Sequence, residues 1–167
     1  MNPSDENASH VIRLHGPWEG SKFGIRNLEF GIDAPADQKL ADVNASKPDR
    51  VKVPLKFSDW LEPDFRGTVV LERAFGLPTN LDDQQSVQLV LQTDQLSLGS
   101  VSLNGTALPL SATVARSDLS SNSSHPLPYC HEITSLLKAR NRLRLTLTVE
   151  SEPLGGLSYA AIEILER

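Results

Sequence analysis

The side chains able to do chemistry are few and scattered along the chain. The large aromatics outside the apolar runs are Trp18, Trp60 and Tyr129, and His131 follows two positions after Tyr129. Arg73 shares strand parity with Val69, Leu71 and Phe75. A flat aromatic stacks on the C–H face of a ring, and planar polar groups bond its hydroxyls, best in a shallow concave site. That equipment suits a carbohydrate, with Trp18, Trp60, Arg73, Tyr129 and His131 as the candidate ligand contacts. Each has a structural reading beside the functional one. Trp18 and Trp60 can close a core at strand ends, because aromatics dominate core packing. Arg73, a charge on an otherwise apolar face, requires an ion partner or a place at the rim. Asn122, His125 and His131, near Tyr129, can equally be solvated surface groups.

Other chemistries are poorly supplied. Glu62 with Asp64 and Glu150 with Glu152 put two carboxyls on one side of a strand. A glycosidase needs such a pair facing across a cleft, about 5–9.5 Å apart. Cys130 precedes His131, but neighbouring strand residues point to opposite faces, so Cys130 reads as a half-buried small hydrophobe and not as half of a catalytic dyad. His10, His15, His125 and His131 match no zinc spacing, and no metal site is expected. The single Cys excludes a disulfide framework and a multi-Cys cluster. No nucleophile elbow, phosphate-binding loop or dinucleotide fingerprint is present, and no cofactor is expected.

The elements that must position these groups follow a period of two. Val51, Val53, Leu55 and Phe57 alternate with Lys52, Pro54 and Lys56, and Val87, Leu89 and Leu91 alternate with Gln88 and Val90. Leu143, Leu145, Leu147 and Val149 alternate with Arg142, Arg144, Thr146 and Thr148. Alternation puts one side of each strand on a core and the other toward solvent or a second surface. Further strands are expected over 10–15, 66–76, 98–103 and 157–165. Turn chemistry separates them at Gly16-Pro17, Leu77-Pro78-Thr79-Asn80, Asn104-Gly105 and Gly155-Gly156. The one helical signal, Glu132 to Lys138, supports one or two turns, with Glu132 or Thr134 as cap. Asn141 is expected to close the connection into the last long alternating strand. Many short strands without helical periods predict an all-β, antiparallel jelly-roll β-sandwich. Two polar connections, 33–49 and 111–128, interrupt it, the first with a short helical turn near Asp37–Ala41. Residues 1–9 read as a frayed, disordered tail and 10–167 as one domain.

Composition agrees. The 167 residues are 39% hydrophobic and 22% charged, which excludes generalised disorder. A net charge of −5 provides no basic field for a phosphate backbone, so nucleic acid is not an expected partner. No apolar run reaches the ~18 residues of a membrane span. The opening residues lack the layout of a signal peptide, and with Met1 as the start the expected compartment is cytoplasmic. The Asn-x-Ser/Thr sequons at Asn7, Asn44, Asn104 and Asn122 then read as chance matches in a Ser-rich chain.

Four segments in order, HVIRLHGPW (10–18), VKVPLKFSDWLEPDFRGTVVLERAF (51–75), VSLNG (101–105) and EITSLLKARNRLRLTLTV (132–149), resemble the sugar-binding, galactose-binding-like jelly-roll domain of glycoside hydrolase family 2. The family's G-x-W is met by Gly16-Pro17-Trp18, its V-P by Val53-Pro54, and its next W by Trp60. Its G-x-v-x-Y-x-R-x-F is met from Gly67 through Arg73 to Phe75. Leu71 replaces the usual aromatic, Glu132 the usual Asp, and Arg140 a common Gly. The resemblance spans roughly 10–165. It implies carbohydrate recognition on a galactose-binding-domain-like fold. Related modules often carry a structural calcium, for which Asp82, Asp83 and Asp94 are the available oxygen donors. The family's catalytic barrel, which carries its two acidic residues, is not encoded in these residues, so its glycosidase activity does not carry over. The expected function is non-catalytic carbohydrate binding. The alternative is a structural or protein–protein interaction module without a sugar ligand, since fold does not fix function.

Overall fold

The computed structural model describes residues 10–24, 47–96, 98–110 and 128–166. Asn122, His125, the 1–9 tail and the Asp37–Ala41 turn lie outside these residues.

The strands are β1 (His10–Arg13), β2 (Trp18–Gly24), β3 (Asp49–Val51), β4 (Leu55–Lys56), β5 (Gly67–Gly76), β6 (Gln85–Asp94), β7 (Leu98–Leu103), β8 (Thr106–Leu108), β9 (Tyr129–Glu132), β10 (Arg140–Val149) and β11 (Gly156–Glu166). They form two antiparallel sheets. One is six-stranded in the order β3-β2-β5-β10-β7-β8. The other is five-stranded, in the order β1-β11-β6-β9, with β4 also paired to β11.

β10 shows how alternation becomes a sandwich. Asn141, Leu143, Leu145, Leu147 and Val149 are buried, while Arg140, Arg142, Arg144 and Thr148 are exposed. Leu145 lies opposite Leu71 of β5 and Val101 of β7. This layer packs on Leu89, Leu91 and Ile162 of the second sheet in one apolar cluster. Each fully buried leucine contributes about 1.5–3 kcal/mol through the water it leaves. Between β7 and β8, Asn104 (φ 54°) and Gly105 (φ 85°) make a two-residue hairpin turn, the left-handed pair that this connection requires. Asn104 Nδ2 donates to the Leu136 carbonyl at 2.9 Å, and its Oδ1 accepts the Arg142 N–H at 2.9 Å, so this sequon side chain is built into the turn. Asn141 closes the entry to β10 as expected: its Oδ1 accepts the Lys138 N–H and its Nδ2 donates to the Lys138 carbonyl, both at 2.8 Å.

Three local expectations are corrected. Residues 51–57 keep their alternating burial but are not one strand. Pro54 has no N–H for a ladder, so β3 ends at Val51, β4 holds only Leu55–Lys56, and Phe57–Asp59 turn into a short 3₁₀ helix. The helical signal after Glu132 produces a single 3₁₀ turn, Thr134–Leu136, without a side-chain cap. The Thr134 hydroxyl accepts the Val87 N–H at 2.8 Å instead, tying the turn to β6. Finally, β2, β8 and β9 form where no strand was expected.

Candidate functional site

The outer face of the six-stranded sheet carries a row of charge. Register sets it: Arg50 of β3 lies opposite Glu19 of β2, Glu19 opposite Glu72 of β5, and Glu72 opposite Arg144 of β10. Arg142 of β10 lies one step along, opposite Ala74. Two carboxylates side by side repel each other. Arginines relieve that here. Arg142 Nη2 reaches Glu72 Oε2 at 2.9 Å and Glu19 Oε2 at 3.7 Å, and Arg144 Nη1 reaches Glu72 Oε1 at 3.6 Å. These pairs are largely exposed, so each adds at most about 1 kcal/mol to stability. Their chief effect is to hold planar polar groups in place.

At the end of this row lies a concavity of about 390 Å³ lined by Pro17, Glu19, Arg50, Glu72, Arg73, Ala74 and Arg142. Arg73 has the opposite parity to Glu72 and lies across from Leu143, which is buried. Its side chain escapes the interior: Nη1 donates to the carbonyl of Pro17, while Nε is buried without a partner. The expected rim position is therefore met by a backbone carbonyl, and among the described residues no carboxylate pairs with this guanidinium. The volume falls in the range that holds a small ligand.

The other sequence-predicted contacts line no part of this concavity. Trp18 is 0% exposed, and its indole N–H donates to the Leu14 carbonyl at 2.7 Å, so it closes the core and offers no stacking surface. Tyr129 is 7% exposed and sits in the apolar cluster. Its hydroxyl has no partner, and burial, with a smaller contribution from Cys130, pushes the phenol up to about 12. His131 is half-buried and stacks on Tyr129 at 6.4 Å between ring centroids. Cys130 is buried.

Trp60 is the one candidate aromatic left half-exposed. Its benzo edge lies over Gly20 of β2, where a Cβ would approach within 2.7 Å, so only glycine admits the ring. Its indole N–H donates to Asp49 Oδ2 at 2.9 Å, and Lys22 Nζ lies 5.4 Å from the ring centroid and 3.3 Å from the same carboxylate. The indole bond chiefly, helped by Lys22 and opposed by slight desolvation, holds the Asp49 carboxyl below its ordinary value. Lysine and carboxylate thus already occupy this ring's surroundings.

Glu62, Asp64, Glu150 and Glu152 are all exposed, and they line no part of this concavity. Among the described residues no three His, Cys, Asp or Glu side chains are grouped to hold a metal. Asp82 Oδ1 accepts the Gln84 N–H at 2.7 Å, and Asp94 Oδ1 accepts the Ser158 hydroxyl at 3.2 Å. No described helix is long and apolar enough to cross a membrane. The sequence reading missed Glu19, Arg50, Glu72 and Arg142. Their outward parity was readable, but their meeting depends on strand register.

Fold and site together define an antiparallel jelly-roll β-sandwich with a polar pocket on one outer face. No protein-family model matches this sequence, and no curated sequence matches it. Solved structures do. A β-glucuronidase of Bifidobacterium dentium, complexed with coumarin-3-O-glucuronide, aligns with TM-score 0.60 at 19% identity, over 99% of this chain and 31% of its own. A β-glucuronidase from Ruminococcus gnavus in complex with D-glucaro 1,5-lactone aligns with TM-score 0.61 at 16% identity, over 99% and 30%. A β-glucuronidase from glycoside hydrolase family 2 aligns with TM-score 0.60 at 16% identity, over 99% and 18%. The chain has the fold of one domain of these glycosidases and spans from under a fifth to a third of their length.

Proposed function

We propose that this domain is a non-catalytic recognition module that binds a carbohydrate in the pocket on the outer face of the six-stranded sheet. The observation that carries the reading is the lining itself: two carboxylates and three guanidiniums, planar groups that hydrogen-bond adjacent hydroxyls in pairs, around about 390 Å³. The likeness to a domain of carbohydrate-active enzymes supports it. Without an aromatic in the lining, selectivity comes from hydrogen bonds, so affinity for single sugars is expected to be modest. The exposed acid pairs offer no enclosed carboxylates for hydrolysis.

A second reading, a structural or protein-interaction module, is favoured by one finding: Trp18 and Tyr129 are spent on the core. A calorimetric screen of mono- and oligosaccharides at millimolar concentration separates the two. Saturable binding, weakened by Glu72→Gln, supports the saccharide reading. Absence of binding to every sugar rejects it in favour of the second.

A further inference from the structure

The charges in the pocket do not balance. Both lining carboxylates are already engaged: Glu19 by Arg142, and Glu72 by Arg142 and Arg144. Among the described residues neither Arg50 nor Arg73 meets a carboxylate. Three guanidiniums face two carboxylates in the lining, on a chain whose net charge is −5. A positive pocket on an acidic protein is a local feature that a general excess of arginine does not explain. Arg73 adds a second observation. The Pro17 carbonyl fixes one end of its guanidinium, and its buried Nε has no acceptor. The buried Nε has no room for an incoming atom, so a ligand meets Arg73 through the part of its guanidinium that lines the pocket.

Resting on the saccharide reading above, we infer that the pocket takes the carboxylate of a sugar acid, received by Arg73 and Arg50, while Glu19 and Glu72 accept from its hydroxyls. A guanidinium and a carboxylate match as planar two-point partners, which a lysine does not reproduce. The carboxylate offsets the surplus charge of the lining. The hydroxyls supply donors to carboxylates that would repel a bare dianion such as phosphate.

The test is calorimetry on the full chain with D-glucuronate and D-galacturonate against D-glucose and D-galactose, and with acetate and inorganic phosphate. The expected result is roughly tenfold or greater preference for each uronate over its neutral sugar, reduced by added salt. Arg73→Lys should abolish the preference, with circular dichroism checking the fold. Arg50→Gln, at an exposed position, gives the same direction of loss without that structural dependence. Equal binding of acid and neutral sugars overturns this inference and leaves the saccharide reading standing. Acetate or phosphate binding as tightly as the uronates overturns the saccharide reading itself. Binding of no probe overturns the inference, and the wider glycan screen then decides the saccharide reading separately.

Discussion

The outward surfaces of the two sheets are unlike. On the six-stranded sheet the outward positions of β10, Arg142, Arg144 and Thr148, are open to solvent. On the five-stranded sheet Val90, Cys130 and Ala161 lie in register with one another and are buried, yet they do not belong to the apolar cluster that holds Leu89, Leu91 and Ile162. Glu163, also outward, is buried too. On the six-stranded sheet Val70 of β5 is buried among outward neighbours that are half-buried or exposed, Thr68, Glu72 and Ala74, whereas the five-stranded sheet buries a connected set of outward residues. The pocket lies on the six-stranded sheet, among its exposed charged residues.

Charge placed on each outward surface should break the symmetry most visibly. Val90→Asp puts a carboxylate between Ala161 and Cys130 at a buried position and should cost several kcal/mol, enough to unfold a marginal domain. Ala107→Asp, at an exposed outward position of β8, should change stability by less than about 0.5 kcal/mol. Urea denaturation of the two variants is the comparison to make, and equal losses would show that the two surfaces are not different.

Within the open sheet, β10 offers its own contrast. Leu145→Ala removes a fully buried side chain at the centre of the interior and should cost about 2–5 kcal/mol. Arg144→Ala, its outward neighbour, should cost within about 1 kcal/mol. Similar values for both would contradict the assignment of inward and outward positions.

Tyr129→Phe isolates a hydroxyl buried without a partner. At neutral pH the variant should equal or exceed the parent in stability, since no hydrogen bond is lost. The folded phenol is pushed up to about 12 from an ordinary 10.0. The unfolded chain therefore releases its proton first. The parent's stability should begin to fall near pH 10 and continue to fall toward 12, and that component should be missing in the variant. Thermal melts from pH 8 to 11.5 would show it. The smallest effect belongs to Asp49, whose carboxyl is held below its ordinary 3.8 chiefly by the Trp60 indole. Its contribution is present above that value and fades as pH falls through the lower folded one. Asp49→Asn should thus be slightly less stable than the parent at pH 7 and equal to it in strong acid.

The sandwich was legible from residues because burial follows parity: the spacing of Leu143, Leu145, Leu147 and Val149 is the burial pattern observed. The Asn104-Gly105 turn was legible because few residue pairs accept positive φ in succession. β2 escaped because its inward position 20 is a glycine. The apolar partner that belongs there is Trp60, forty residues away. β9 escaped because four residues carry too little periodicity. The pocket was legible only in Arg73, whose charge on an apolar face demanded a rim or a partner. Glu19, Glu72 and Arg142 read as solvated until register set β2, β5 and β10 side by side.

The most direct test of the proposed site is a ¹H–¹⁵N spectrum of the protein titrated with D-galacturonate and, separately, with D-galactose. Saturable shifts are expected centred on Glu19, Arg50, Glu72, Arg73, Ala74 and Arg142, with β9 and Trp60 unmoved. Shifts centred on Trp60, Tyr129 or His131, or a spectrum unchanged at millimolar sugar, would contradict the proposed site.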